Sequence, residues 1–122
     1  MRKYRSQRMT CPETGEKFDS KSEYKRWREL KLLEMAGEIR NLRRQVRYPL
    51  EIDGRPIKTR SKGVPNGRRC FWTADFVYEE RDSLMGIGWN SVIEDRKGFD
   101  TQTSRFRRAV FEAMHDVRVR IT

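Results

Sequence analysis

A few acids and one lysine in this chain stand at spacings that can do phosphodiester chemistry. Asp75 is alone in the strand-like segment Thr73-Ala74-Asp75-Phe76-Val77-Tyr78, and Asp95 precedes Lys97 by two residues in Ser91-Val92-Ile93-Glu94-Asp95-Arg96-Lys97-Gly98. Aspartate is disfavoured in strands, so each needs a reason. Hydrolysis of a phosphodiester calls for a metal that polarises the phosphate and acidifies a water, a base or cation at that water, and neutralisation of the leaving oxygen. Mg²⁺ takes hard oxygen ligands, keeps several waters and uses only one or two protein carboxylates. Asp75 and Asp95 on paired strands would supply those two, and the backbone carbonyl of Arg96 a third ligand. Mn²⁺ is expected to substitute for Mg²⁺. Lys97 is then placed to orient or deprotonate the attacking water, or to stabilise charge in the transition state.

Such residues need elements to aim them. Ser20 followed by Glu23 has capping-box spacing, and it heads a predicted helix to about Ala36 with Gly37 as its stop. Helical phase puts Trp27, Leu30 and Leu33 on the buried stripe, with Glu23 one turn before Trp27 on the same stripe. Glu23 is therefore a third candidate carboxylate, for a second metal or for a metal-associated water. Its plain structural alternative is a first-turn acid that complements the helix dipole.

Gln45 to Ile52 alternates as a strand with Val46, Tyr48 and Leu50 on one face, and Asp53-Gly54-Arg55-Pro56 turns the chain. The stretch 53–69 reads as a long basic hairpin loop carrying Arg55, Lys58, Arg60, Lys62, Arg68 and Arg69 against one acid, Asp53. Loops of this length are often functional, and a DNA-contacting flap is the expectation. Its alternative is a solvated charge run.

Cys70 to Glu80 is the next strand, with Thr73, Asp75 and Val77 on one face and Ala74, Phe76 and Tyr78 on the other. Asn90 to Lys97 follows, where alternation groups Ile93, Asp95 and Lys97 against Val92, Glu94 and Arg96. Asp95 and not Glu94 is thus the partner of Lys97. A helix from about Ser104 to His115 is predicted with Phe106, Ala109, Val110 and Ala113 as its apolar stripe. Arg105, Arg107 and Arg108 fall on its exposed flank, and Arg105 and Arg108 join the loop cations as candidate phosphate contacts. Val117 to Ile121 closes the chain as a short strand. The expected class is α/β (α+β): helix, three antiparallel strands, helix, strand, with a mixed sheet.

Composition says what the site would act on. The 122 residues hold 28 Lys+Arg against 18 Asp+Glu, a formal net charge of +10. A chain so basic is suited to a polyanion, nucleic acid first, through salt-sensitive phosphate contacts. Hydrophobic residues make up 35% of the chain, yet three Trp, four Tyr and six Phe give enough apolar area for one small folded domain. The expected organisation is a basic N-terminal arm and turn at 1–17 and a catalytic domain at 18–122. Cys11 and Cys70 are isolated, which argues against structural zinc and for a reducing cytoplasm. No apolar run approaches a spanning length, and no signal-peptide pattern opens the chain. A cytoplasmic protein without membrane contact or small-molecule cofactor is expected.

Taken in order, Phe18-Asp19-Ser20-Lys21-Ser22-Glu23, then Ala74-Asp75-Phe76-Val77-Tyr78, then Ile93-Glu94-Asp95-Arg96-Lys97-Gly98-Phe99 resemble the PD-(D/E)xK nuclease superfamily. They are closest in pattern to its small phage-encoded members, similar to Holliday junction resolvases and nicking endonucleases. The resemblance covers about Phe18 to the C-terminus, with Ala74 where the superfamily pattern has proline. It implies a restriction-endonuclease-like core, metal-site roles for Glu23, Asp75 and Asp95, a catalytic role for Lys97, and a dimer that cuts two strands symmetrically. The function it implies is a Mg²⁺-dependent endonuclease for branched DNA in recombination, working in the host cytoplasm if phage-encoded. Two other readings stand beside it: a nicking or end-cleaving enzyme of a restriction or transposition system, acting on linear duplex, and a basic nucleic-acid-binding module without catalysis.

Overall fold

The computed structural model describes residues 8–84, 86–97 and 100–122. Residues 1–7, most of the expected basic arm, lie outside the described residues, as do Gly98 and Phe99 of the third motif. Met9–Thr10 (β1) and Lys17–Phe18 (β2) form a small antiparallel hairpin, so the segment read as arm and turn is partly ordered sheet. Phe18 anchors it by burying its ring against Tyr24 and Trp27 of the first helix.

That helix, α1 (Lys21–Met35), starts where its cap lies in the sequence: Ser20 Oγ accepts from the Glu23 N–H at 3.1 Å. It ends at Gly37, whose φ of +78° suits a residue without a side chain. Leu30 is buried and Trp27 half-buried, but Leu33 is 38% exposed, so the inward stripe is narrower than its apolar content predicts. Arginine supplies the missing cover: the Arg44 guanidinium lies 3.9 Å from the Phe18 ring centroid.

The main sheet has four strands in the order β10-β9-β8-β3. These are Ile39–Pro49 (β3), Phe71–Arg81 (β8), Trp89–Asp95 (β9) and Arg120–Ile121 (β10). The first three pair antiparallel and β10 joins β9 in parallel, which makes the sheet mixed. The second helix, α2 (Gln102–His115), bridges β9 and β10. The described residues therefore form a mixed α+β domain of two helices and one principal sheet.

Two apolar cores flank the sheet. Leu30, Ile39, Phe76, Tyr78 and Val92 pack with α1, while Leu50, Trp72, Ala74, Val77, Phe111 and Val119 pack with α2. Ala74 thus belongs with Val77 and not with Phe76 and Tyr78, a correction to simple alternation. The break falls opposite Gln45, whose φ of +53° interrupts the pleat of β3 between the pairs Arg44↔Phe76 and Val46↔Ala74.

Between β3 and β8 the expected loop 53–69 is sheet. Glu51–Ile52 (β4) pairs Arg55–Pro56 (β5) across an Asp53-Gly54 turn, and Lys58–Ser61 (β6) pairs Val64–Arg69 (β7). Polar, proline-containing strands lack the apolar alternation that marks a strand in sequence. In α2 the buried face is also turned from the expected one: Phe111 and Arg108 are inside, and Phe106 is 70% exposed. No helix among the described residues is long and apolar enough to cross a membrane.

Candidate active site

The site forms where β8, β9 and the start of α1 converge. β9 ends at Asp95, and the chain beyond it is held by the last residue: Thr122 N–H donates to the Asp95 carbonyl at 3.0 Å, and Lys97 N–H donates to the Thr122 carbonyl at 3.1 Å. Lys97 therefore keeps strand-like placement although the ladder has stopped. Its Nζ lies 3.1 Å from Asp95 Oδ2.

Glu94 and Asp95 are both fully buried, but they do different work. Glu94 accepts from Arg26 Nε at 2.7 Å, Arg26 Nη2 at 3.0 Å, Tyr78 OH at 2.6 Å and Thr122 Oγ1 at 3.2 Å. Burial pushes its carboxyl up, yet the bonds from Arg26 and Tyr78 outweigh that and hold it below its ordinary value. Glu94 is a satisfied anchor that ties α1 to the sheet. On the opposite face, Asp95 Oδ2 meets Lys97 and Arg108 Nη1, the latter at 3.5 Å, while Asp95 Oδ1 is buried with no hydrogen-bond partner among the described residues.

Asp75 is half-buried beside Asp95. Its Oδ2 accepts the Arg96 N–H at 2.9 Å and its Oδ1 accepts Gln45 Nε2 at 3.2 Å. Burial first, then the hydrogen bond and charge of Asp95, then Glu23, push its carboxyl up to about 8. Two carboxyls forced together in this way demand a proton or a cation between them.

Glu23, 3% exposed, points from α1 toward the same place and is reached through one amide. Gln45 Nε2 donates to Glu23 Oε1 at 2.7 Å as well as to Asp75, and Arg44 Nη2 lies 4.0 Å from Glu23. Burial raises the Glu23 carboxyl above its ordinary value, against the pull of Arg44. Among the described residues no three Asp, Glu, His or Cys side chains cluster closely enough to hold a metal by themselves. The donor set is two adjacent carboxylates, one with an orphaned oxygen, and a third carboxylate behind an amide. That set fits Mg²⁺, which asks for one or two carboxylates and fills the rest of its shell with water.

Gln45 is not legible as a site residue in the sequence, and Arg108 is legible there only as a surface cation. Gln45 is the one uncharged side chain in the basic run Arg43-Arg44-Gln45, a faint signal at best without the register that sets it opposite Asp75. Arg108, expected on the exposed flank as a phosphate contact, is 6% exposed and paired to Asp95 and, at 2.7 Å, to Asp100. Its charge is consumed inside the protein. Of the other expected phosphate contacts, Arg55, Lys58, Arg60, Lys62 and Arg68 are exposed on the hairpins, Arg69 lies 3.5 Å from Glu51, and Arg105 donates to the Asp100 carbonyl at 2.7 Å. The Arg96 side chain turns away to Ser22 Oγ at 2.7 Å, which leaves its backbone as its share of the site.

Fold and site define a mixed α+β domain with a buried and a half-buried carboxyl side by side and an adjacent lysine, in a strongly basic chain. The chain belongs to the DUF1064 family, described as a protein of unknown function, whose model matches residues 1–122. No curated protein and no solved structure matches it.

Proposed function

We propose that this protein is a Mg²⁺-dependent, structure-selective DNA endonuclease with a PD-(D/E)xK-type site on a restriction-endonuclease-like core, cutting branched DNA such as a Holliday junction or a fork. The observation that carries the reading is Asp95 Oδ1, a buried carboxylate oxygen without a partner among the described residues, next to a second carboxylate and 3.1 Å by its sister oxygen from Lys97. A buried carboxylate oxygen left without a hydrogen bond is costly, and a site that keeps one beside a second carboxylate is arranged for a cation that arrives later.

Asp75 and Asp95 would hold Mg²⁺, with the Arg96 carbonyl as a further ligand. When bound, the ion supplies charge neutralisation at the phosphate and a lower pKa for the attacking water. Lys97, ion-paired to Asp95, orients that water and stabilises charge on the phosphate oxygens. Glu23 acts through Gln45 to hold Asp75 in place, and is near enough to serve a second ion or an ordered water. Cutting two strands symmetrically calls for two such sites, so the active species would be a homodimer.

Asp75→Asn, Asp95→Asn and Lys97→Ala are expected to abolish cleavage of a four-way junction in Mg²⁺ while leaving binding largely intact. Wild-type rates in all three would remove the site assignment. Equal cleavage of matched linear duplex would favour a nicking or end-cleaving enzyme instead. Salt-sensitive binding with no product in Mg²⁺ or Mn²⁺ would leave a basic binding module.

A further inference from the structure

Lys97 has two neighbourhoods. On one side it faces Asp95; on the other it forms the wall of a groove of about 300 Å³ lined also by Phe71, Thr73, Thr101, Thr103, Ser104 and Arg107. The groove runs from β8 to the first turn of α2. Three features give it a chemical character. Arg107 is exposed and has no ion pair or hydrogen bond among the described residues, unlike its neighbours Arg105 and Arg108. Thr73 and Thr103 are exposed, and among the described residues Thr101 Oγ1 is the one groove threonine hydroxyl that is engaged, by the Ser104 N–H at 3.0 Å. Little aromatic surface is left open: the Arg47 guanidinium lies 3.7 Å from the Phe71 ring centroid over one of its faces, and Trp72 is buried in the core.

A groove with two cations, exposed hydroxyls and a phenylalanine already stacked by an arginine suits phosphate better than a stacked base. We infer that it is a second phosphate subsite, holding the backbone phosphate next to the scissile one, with Arg107 as its dedicated cation and Lys97 shared between the two phosphates. This rests on the nuclease reading and deepens it. By holding the neighbouring phosphate, the groove fixes the strand's direction across Asp75 and Asp95. Phosphate contacts of this kind set register without reading sequence.

The test uses the full chain with a labelled four-way junction in Mg²⁺, and a second junction carrying an uncharged methylphosphonate one position from the cut. Arg107→Ala is expected to raise KM about tenfold with kcat within about twofold, whereas Arg118→Ala, an exposed arginine away from the groove, changes KM less than twofold. The methylphosphonate is expected to raise KM as much in the wild type and no further in Arg107→Ala. Unchanged KM in Arg107→Ala, or methylphosphonate and mutation effects that multiply, would overturn the subsite while leaving the nuclease assignment standing. If the wild type cuts no DNA, the nuclease reading fails, and anisotropy with the same junction decides the groove: equal losses of binding in Arg107→Ala and Arg118→Ala overturn it, and a loss confined to Arg107→Ala upholds a phosphate site.

Discussion

Asp75 ties the protonation of the site to the stability of the fold. Its carboxyl, ordinarily near 3.8, is pushed up to about 8 by burial, then by Asp95 and Glu23. Between those values the folded chain holds a proton that the unfolded chain has released, so stability present at low pH is lost as pH rises toward 8. Asp75→Asn removes the titration while its amide oxygen can still accept from the Arg96 N–H. In EDTA, the variant's Tm is expected to lie close to the wild type's at pH 4 and above it at pH 8. Adding Mg²⁺ at pH 8 should raise the wild-type Tm more than that of the variant. Equal melting of both proteins at pH 8 in EDTA would mean that Asp75 is not under this strain. Gln45 makes a companion case. Gln45→Ala strips buried Glu23 of its 2.7 Å donor and leaves Arg44 at 4.0 Å. Losing a donor to a buried carboxylate costs about 1–3 kcal/mol, which urea titration would resolve. Gln45→Glu should cost more at pH 8 than at pH 5, because it adds a third negative charge to the pair.

Among the elements, the β6–β7 hairpin is held by a glycine that the sequence does not flag. A Cβ on Gly67 would sit 2.9 Å from the Thr59 carbonyl oxygen, and φ there is +80°. Gly67→Ala is expected to release amide protection over Val64–Arg69 in hydrogen exchange while Phe71–Arg81 stays protected. Loss of protection in both would mean that hairpin and sheet open as one unit. What was legible in the sequence follows the same division. The Ser20 cap, the Gly37 stop and the order of helix and strands around Asp75 and Asp95 are local signals, and they lie where expected. The first half of β3 was not legible, because Arg40, Arg43 and Arg44 break an apolar alternation. At the sheet edge such charges are tolerated and guard against unwanted pairing. Arg44 is half-buried there by lying on Phe18, and Arg40 by lying 4.4 Å from the Trp89 ring centroid covers an aromatic from outside. The face of α2 was misjudged for a related reason: only tertiary contact shows that Arg108 has Asp95 and Asp100 waiting for it inside.

Over the whole molecule, the net charge of +10 is unevenly used. Arg26, Arg44 and Arg108 are spent on buried acids and Arg120 on Glu80 at the surface, whereas Arg55, Lys58, Arg60, Lys62 and Arg68 carry no ion pair among the described residues. Those five stand on the hairpins between β3 and β8, the two strands that carry Gln45 and Asp75. A phosphate backbone drawn to the hairpins would therefore be held by the connection that leads into the site. Each phosphate neutralised on duplex DNA adds about 0.9 to the slope of log K against log salt. The triple variant Arg60→Ala, Lys62→Ala, Arg68→Ala is expected to lower that slope by about 2–3 on junction DNA, measured by anisotropy in Ca²⁺ from low to moderate salt. It should leave the Tm of the domain nearly unchanged, since the three side chains are exposed and unpaired. A slope that falls by less than about one would place the DNA elsewhere, on the Arg107 side of the molecule, and the hairpins would then be a charged edge with no part in recognition.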